Sequence, residues 1–237
     1  MTERLFLEDA ALATTTARVL ASGPGGIVLD RTIFYARSGG QPGDTGILRW
    51  PGGEVAIDDT VKGDGDIILH VPAAAAALPA EGAAITAELD WDRRHRLMRM
   101  HTALHLLCSL IPGAGVTGGS IGLEKSRLDF DLPNPPSKGA LEAELSARIA
   151  ENHLVSHFWV DEAVLDADPG LVRTLSVKPP RGSGRVRLVR IGAGDAVVDL
   201  QPCGGTHVHR TGEIGPMLVT KIESKGKQNR RIIIVPA

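Results

Sequence analysis

Through the first 90 residues, apolar positions come in short runs and alternations rather than in helical stripes. GGIVLDRTIFY, TGILRW, GEVAIDD, DIILHV and AAITAELDW each read as a strand, divided by Gly, Asp and Pro turns. Only Asp9 to Leu20 carries a hint of helical spacing, and PAAAAALPA at 72–80 reads as a connector or a short helix. The pattern predicts a small β-barrel or sandwich.

At Trp91 the period changes. WDRRHRLMRMHTALHLLCSL holds no Gly or Pro and predicts a helix that ends near Pro112-Gly113. Asp92 suits its N-terminal turn. Leu97, His101, Leu104, His105 and Cys108 fall on one face. A second helix is expected from Ser137 to about Asn152, with Leu141, Leu145 and Ile149 on its buried stripe. VSHFWVDEAVL, GRVRLVRIG, AVVDL, IGPMLVTKIE and RRIIIVP read as strands, and Pro179-Pro180 with the glycines after it as a loop. Strands in series with two helices predict an α+β domain with an antiparallel sheet. The expected division is 1–90 and 91–237.

Composition narrows the class. A chain of 237 residues that is 43% apolar and 23% charged is ordinary for a globular protein. No apolar run is long enough to cross a bilayer, and the start MTERLFLEDA lacks the basic-then-apolar order of an export signal. With only two cysteines this points to the cytoplasm. The net charge of −2 hides an asymmetry. Residues 1–90 carry 6 Lys and Arg against 13 Asp and Glu, whereas residues 91–237 carry 20 against 15. The more basic part is the one suited to a polyanion.

The chemistry lies in two separated motifs. His101 and His105 form HxxxH on the first helix, so both rings leave one face. Cys203 and His207 form CxxxH in QPCGGTHVHRTGEIG. Together they supply four donors of the kinds zinc prefers, in the number of a tetrahedron. Gly204 and Gly205 are expected to supply the backbone freedom that bends thiolate and imidazole to one point. Cys108 lies roughly 10 Å along the helix from His101, too far to share one ion, and reads as a buried structural thiol. His209 is either a base, a phosphate contact or plain surface. His95, His153 and His157 have no partner pattern.

RMHTALHLL together with QPCGGTHVHRTGEIG resembles the editing domain of alanyl-tRNA synthetases and their free-standing relatives, the AlaX editing proteins. GSIGLEKSRLDFDL at 119–132, KGKQNRRIIIV at 225–235 and SGGQPGDTG at 38–46 look like further segments of the family, the last of its medium-length members. The resemblance implies a small β-barrel followed by an α+β zinc domain, with zinc on His101, His105, Cys203 and His207. It implies hydrolysis of Ser-tRNA(Ala), with Gly-tRNA(Ala) as a further substrate of some members, sparing Ala-tRNA(Ala). The partner implied is the acceptor end of tRNA(Ala). Nothing in the sequence fixes the oligomeric state, and a monomer is the working expectation.

Two positions depart from the synthetase pattern. Leu104 stands where many members have Thr, and Thr117 where many have Gln. Thr117 and Thr206 are therefore the candidate hydroxyl contacts for substrate, with Gly204 and Gly205 beside them. The resemblance also makes Gln41 and Asp44, in the Gly-rich motif, candidates for the substrate site. For the tRNA backbone the candidates are Arg93, Arg96, Arg99, Arg230 and Arg231, with Arg94, Arg185, Arg187, Arg190, Lys225 and Lys227 as further cations. With 3% aromatic residues, base stacking is not the expected mode. No trustworthy Ser-His-Asp or Cys-His nucleophile is present. The rival readings are a threonyl-type editing domain and an RNA-binding module with a structural zinc.

Overall fold

A computed structural model describes residues 2–175 and 184–237; the Pro179-Pro180 loop expected from the sequence lies outside them. The chain divides into two compact units, Met1–Leu97 and Met98–Ala237.

In the first unit, β1 (Glu3–Arg4) pairs in parallel with β4 (Arg31–Thr32). The other strands are β2 (Thr14–Gly23), β3 (Gly26–Leu29), β5 (Gly46–Trp50), β6 (Gly53–Lys62), β7 (Ile68–Pro72) and β8 (Ala84–Leu89). These six close into a barrel in the order β2-β3-β7-β6-β5-β8, so no long edge is left open. Alternation fills it: Val55 and Ile57 from β6, and Ile85, Ala87 and Leu89 from β8, point inward. Asp9 to Leu20 is not helical. Three successive β-branched threonines open β2 there, and Ala17 and Val19 alternate inward. Nor does the alanine run at 72–80 form a helix; it is short, bounded by prolines, and turns at Ala75 with φ +58°.

The helix α1 (Trp91–Ser109) has the predicted extent, and the division between the units falls within it. From Leu97 to Cys108 every residue except Arg99 is buried. It is thus enclosed on all sides rather than on the single face read from the sequence. The second unit continues with β9 (Val116–Ser120), β10 (Ser126–Asp131), α2 (Lys138–Ala150), β11 (Val155–Asp161), α3 (Ala163–Ala167), β12 (Arg185–Ala193), β13 (Ala196–Pro202), β14 (Met217–Ser224) and β15 (Asn229–Pro236). Its described strands form two antiparallel sheets, β14-β15-β10-β9 and β11-β12-β13. Ser137 caps α2, accepting the Ala140 N–H at 3.2 Å, and Leu141, Leu145 and Ile149 are buried as expected. The expected single strand VSHFWVDEAVL breaks at Asp161. Beyond it α3 turns Leu165 into an apolar cluster with Val186 and Leu188.

A bulge interrupts β12 and β13. Ile191 faces Asp199 but Gly192 faces Val197, so one β13 residue is extra. Gly192 has φ +108°, and a Cβ there would lie 2.1 Å from the Ala196 carbonyl oxygen. Among the described residues no helix is long and apolar enough to cross a membrane.

Candidate metal centre

One helix and one turn bring the four predicted ligands together, all four in the second unit. α1 carries His101 and His105, and the turn after β13 carries Cys203 and His207. One ligand atom from each lies within 4.8 Å of all the others. Cys203 Sγ is 3.3 Å from His207 Nε2 and 3.6 Å from His101 Nε2. A zinc tetrahedron with one thiolate and three imidazoles has N–S edges of roughly 3.5 Å, so the donor set has the size of that ion. The ring centroids of His101, His105 and His207 are 4.3–5.2 Å apart. The three imidazoles are buried and the thiol is half-buried.

The electrostatics suit a cation. Burial alone would raise the Cys203 thiol, but the electrostatic pull of the His101 and His207 imidazoles and hydrogen bonds from His101 and His105 hold it well below its ordinary value. Burial, with the neighbouring His101, holds the His207 pKa well below its usual range. Burial also opposes charge on His105, yet the Asp199 carboxylate and Cys203 outweigh it and raise its pKa to about 10. The negative charges that retain a proton there would equally favour a metal ion.

Neither Gly204 nor Gly205 has a positive φ, contrary to the role expected for them. Side chain and backbone bonds shape the turn instead. Arg187, buried on β12, donates to the carbonyls of Cys203 at 2.9 Å and Gly205 at 3.2 Å. The Gly205 N–H donates to Cys203 Sγ at 3.3 Å. Gly204 is exposed, and a Cβ there would meet nothing within 4 Å. Arg187 is thus a clamp on the ligand turn rather than a phosphate contact. HRTGEIG is a short 3-10 turn, Thr211–Ile214; Glu213 accepts the Arg210 N–H at 2.8 Å, and Arg99 donates to the Ile214 carbonyl at 2.8 Å.

The sequence reading missed the groups behind the ligands. Asp199 Oδ2 lies 2.8 Å from His105 Nδ1 and accepts the Gln201 amide at 2.9 Å. Thr102 Oγ1 lies 3.1 Å from His207 Nδ1. The signal for Asp199 and Gln201 was present: polar residues alternate in DLQPC up to Cys203, so they share one face of a strand. Cys108 stands apart from the four; burial pushes its thiol up to about 11. His209 is exposed.

The remaining expected site residues are placed as follows. Thr206 is fully buried. Thr117 is half-buried on β9, and its hydroxyl oxygen accepts the Asn229 amide at 2.8 Å. Gln41 is buried in the first unit. Asp44, also expected to meet substrate, is 1% exposed and accepts from the Tyr35 N–H at 2.6 Å and from the guanidinium of Arg94, itself 0% exposed. Arg94 also donates to the carbonyls of Ile33 and Ala10. Asp44 and Arg94 form a structural pair, so neither is free to bind substrate or phosphate. Arg93 donates to the Gly43 carbonyl at 2.7 Å, Arg230 to the Pro133 and Gly226 carbonyls, and Arg231 holds Asp129 through two bonds of 2.8 and 2.9 Å. Arg96 is exposed and, among the described residues, has no ion pair.

Known proteins are similar to this chain. Residues 186–233 match the family described as the threonyl and alanyl tRNA synthetase second additional domain, and residues 8–93 match class II (A) tRNA synthetases. The alanyl-tRNA editing protein AlaX-M of Methanosarcina acetivorans is 38% identical over 98% of this chain and 98% of its own. The chain belongs to the AlaX-M family of alanyl-tRNA editing proteins. AlaX-M of Saccharolobus solfataricus is 32% identical over 98% of both chains. Alanine–tRNA ligase of Pyrobaculum calidifontis is 39% identical over 94% of this chain, which spans 25% of the ligase's length. The match to both AlaX-M proteins runs through both units of this chain.

Proposed function

We propose that the chain is a zinc-dependent aminoacyl-tRNA deacylase acting in trans in the cytoplasm. It hydrolyses the ester of Ser-tRNA(Ala), and of Gly-tRNA(Ala), and leaves Ala-tRNA(Ala) intact. The observation that carries this reading is the convergence of His101, His105, Cys203 and His207 in a chain alignable end to end with alanyl-tRNA editing proteins.

Those four residues would hold zinc, which when bound supplies a Lewis acid that orients the aminoacyl ester or polarises a water. The chain's own groups do the rest. The open space beside exposed Gly204 is a route for the acceptor end to approach Cys203. Serine exceeds alanine by one hydroxyl, and a site that bonds this hydroxyl excludes the analogue lacking it. Thr117 is the proposed reader. The Asn229 amide occupies one lone pair of its hydroxyl oxygen and leaves the O–H to donate. Thr206 is enclosed and less suited. Arg96 is the proposed phosphate contact, because Arg93, Arg99, Arg230 and Arg231 already serve carbonyls or carboxylates of the chain.

The test is deacylation of Ser-tRNA(Ala), Gly-tRNA(Ala), Ala-tRNA(Ala) and Ser-tRNA(Thr), with and without a chelator. Hydrolysis of the first two, lost on chelation, is expected. Selective hydrolysis of Ser-tRNA(Thr) would replace this reading by a threonyl-type one. Binding of tRNA without hydrolysis of any ester would leave an RNA-binding module.

A further inference from the structure

Two of the candidate ligands are backed at Nδ1 by polar groups that favour one tautomer. Thr102 Oγ1 donates to the Met98 carbonyl one turn back in α1, at 2.9 Å. A hydroxyl has a single proton, so its oxygen can only accept from its remaining neighbours. It receives the Val208 N–H at 3.3 Å and faces His207 Nδ1 at 3.1 Å. With the hydroxyl proton on the Met98 carbonyl, His207 Nδ1 carries the ring proton, which leaves Nε2 bare beside Cys203. Behind His105 the logic is the same with a stronger acceptor. The Asp199 carboxylate, 3% exposed at its side chain, accepts from His105 Nδ1 at 2.8 Å. The Gln201 amide donates to the same oxygen at 2.9 Å and also lies 3.2 Å from His105 Nδ1; the closer, charged carboxylate takes the Nδ1 proton.

We propose that Asp199 and Thr102 are positioning residues of the metal centre, fixing His105 and His207 as Nδ1–H tautomers that both present Nε2 to the ion. This rests on the metal reading of the four-residue cluster. The two devices differ in strength. Asp199 brings a full negative charge that makes its imidazole a better donor; Thr102 brings only a dipole. His105 is thus the more firmly held ligand and His207 the more readily displaced.

The test uses the intact protein and Zn2+ itself. In zinc-loaded, 15N-histidine-labelled protein, long-range 1H–15N spectra should show protonated Nδ1 and metal-bound Nε2 for both rings. Metal affinity, read by chelator competition, should fall by about 10–100-fold in Asp199→Ala. In Thr102→Val it should fall less, by roughly 3–10-fold, in keeping with a single neutral hydrogen bond. The thermal transition of the metal-free protein should stay within a few degrees of the parent. If Asp199→Ala does not fold, Asp199→Asn keeps an acceptor oxygen without the charge and should show an intermediate loss. Nδ1 ligation of either ring, or unchanged affinity in the Asp199 variants, would overturn the proposal while leaving the metal reading intact. Failure of the parent protein to bind zinc at all would remove both.

Discussion

Two glycine-rich stretches, SGGQPGDTG in the barrel and CGGTH after β13, each adjoin a buried polar cluster, and the clusters differ in what they leave unspent. In the barrel unit, Asp44 and Arg94 satisfy each other, and their spare bonding goes to Tyr35, Ile33 and Ala10. The glycines there are close-approach residues: a Cβ on Gly43 would lie 2.1 Å from the Thr60 carbonyl oxygen, and one on Gly46 would lie 2.1 Å from that of Glu88. Both side chains are spent on the fold. In the second unit, two of the imidazoles are anchored from behind at Nδ1, while a thiolate and the imidazole Nε2 atoms converge in front. A buried cluster that closes on itself stabilises a fold; one whose lone pairs meet at a single point is a coordination site.

The comparison breaks most sharply at the ligands. Cys203→Ala or His101→Ala should abolish metal binding and lower Ser-tRNA(Ala) hydrolysis by on the order of 10^4-fold, the several kcal/mol a catalytic metal contributes. Metal analysis beside single-turnover deacylation checks this; full activity without metal would defeat it. In the barrel the expected effect is on stability. Asp44→Ala leaves the Arg94 charge buried and alone, at a cost of about 3–5 kcal/mol. Urea unfolding should show that loss, with zinc still bound one per chain in the fraction that folds.

A smaller effect in the barrel is set by pH. His70 is enclosed; burial lowers its pKa to about 4 despite the bond of Nδ1 to the Ile27 carbonyl, and Nε2 takes the Thr32 hydroxyl. The folded state therefore binds fewer protons than the unfolded one between about pH 4 and 6.5. Stability should be complete above about pH 6.5 and fall by up to about 3 kcal/mol as pH drops to 4. In His70→Gln this dependence should flatten; an unchanged profile would assign it to other groups. The smallest effect is at the surface. Arg96→Ala should weaken tRNA binding a few-fold for all sequences and reduce the salt slope by about 1. A binding curve that does not move would return Arg96 to the solvated surface.

The sequence made the ligands legible because their spacing is short-range: HxxxH on a helix and CxxxH in a turn. The barrel was legible through strict alternation, as in GEVAIDD. β9 and β10 were not read as strands, since VTGGS offers one apolar residue and no alternation. β2 was misread over its start, where Ala and Leu fit both periods and the threonine run decided the outcome. Arg94 and Arg96 look alike as a string, yet the first is sealed against Asp44 and the second faces water. That distinction depends on an aspartate fifty residues away, beyond any local pattern. Thr102 escaped for the same reason, because His207 lies on another element, whereas Asp199 was marked by the alternation in DLQPC.

The bulge at Gly192 governs which side of β13 faces α1. Asp199 and Gln201 share a face of β13 by alternation, the observed register turns that face to His105, and a slip by one residue would turn both carboxylate and amide away. A methyl group at 192 is excluded by the Ala196 carbonyl, so this glycine sets the chemistry of a centre it never touches. In a screen scored by activity alone, an alanine there would be mistaken for a lesion of the metal ligands.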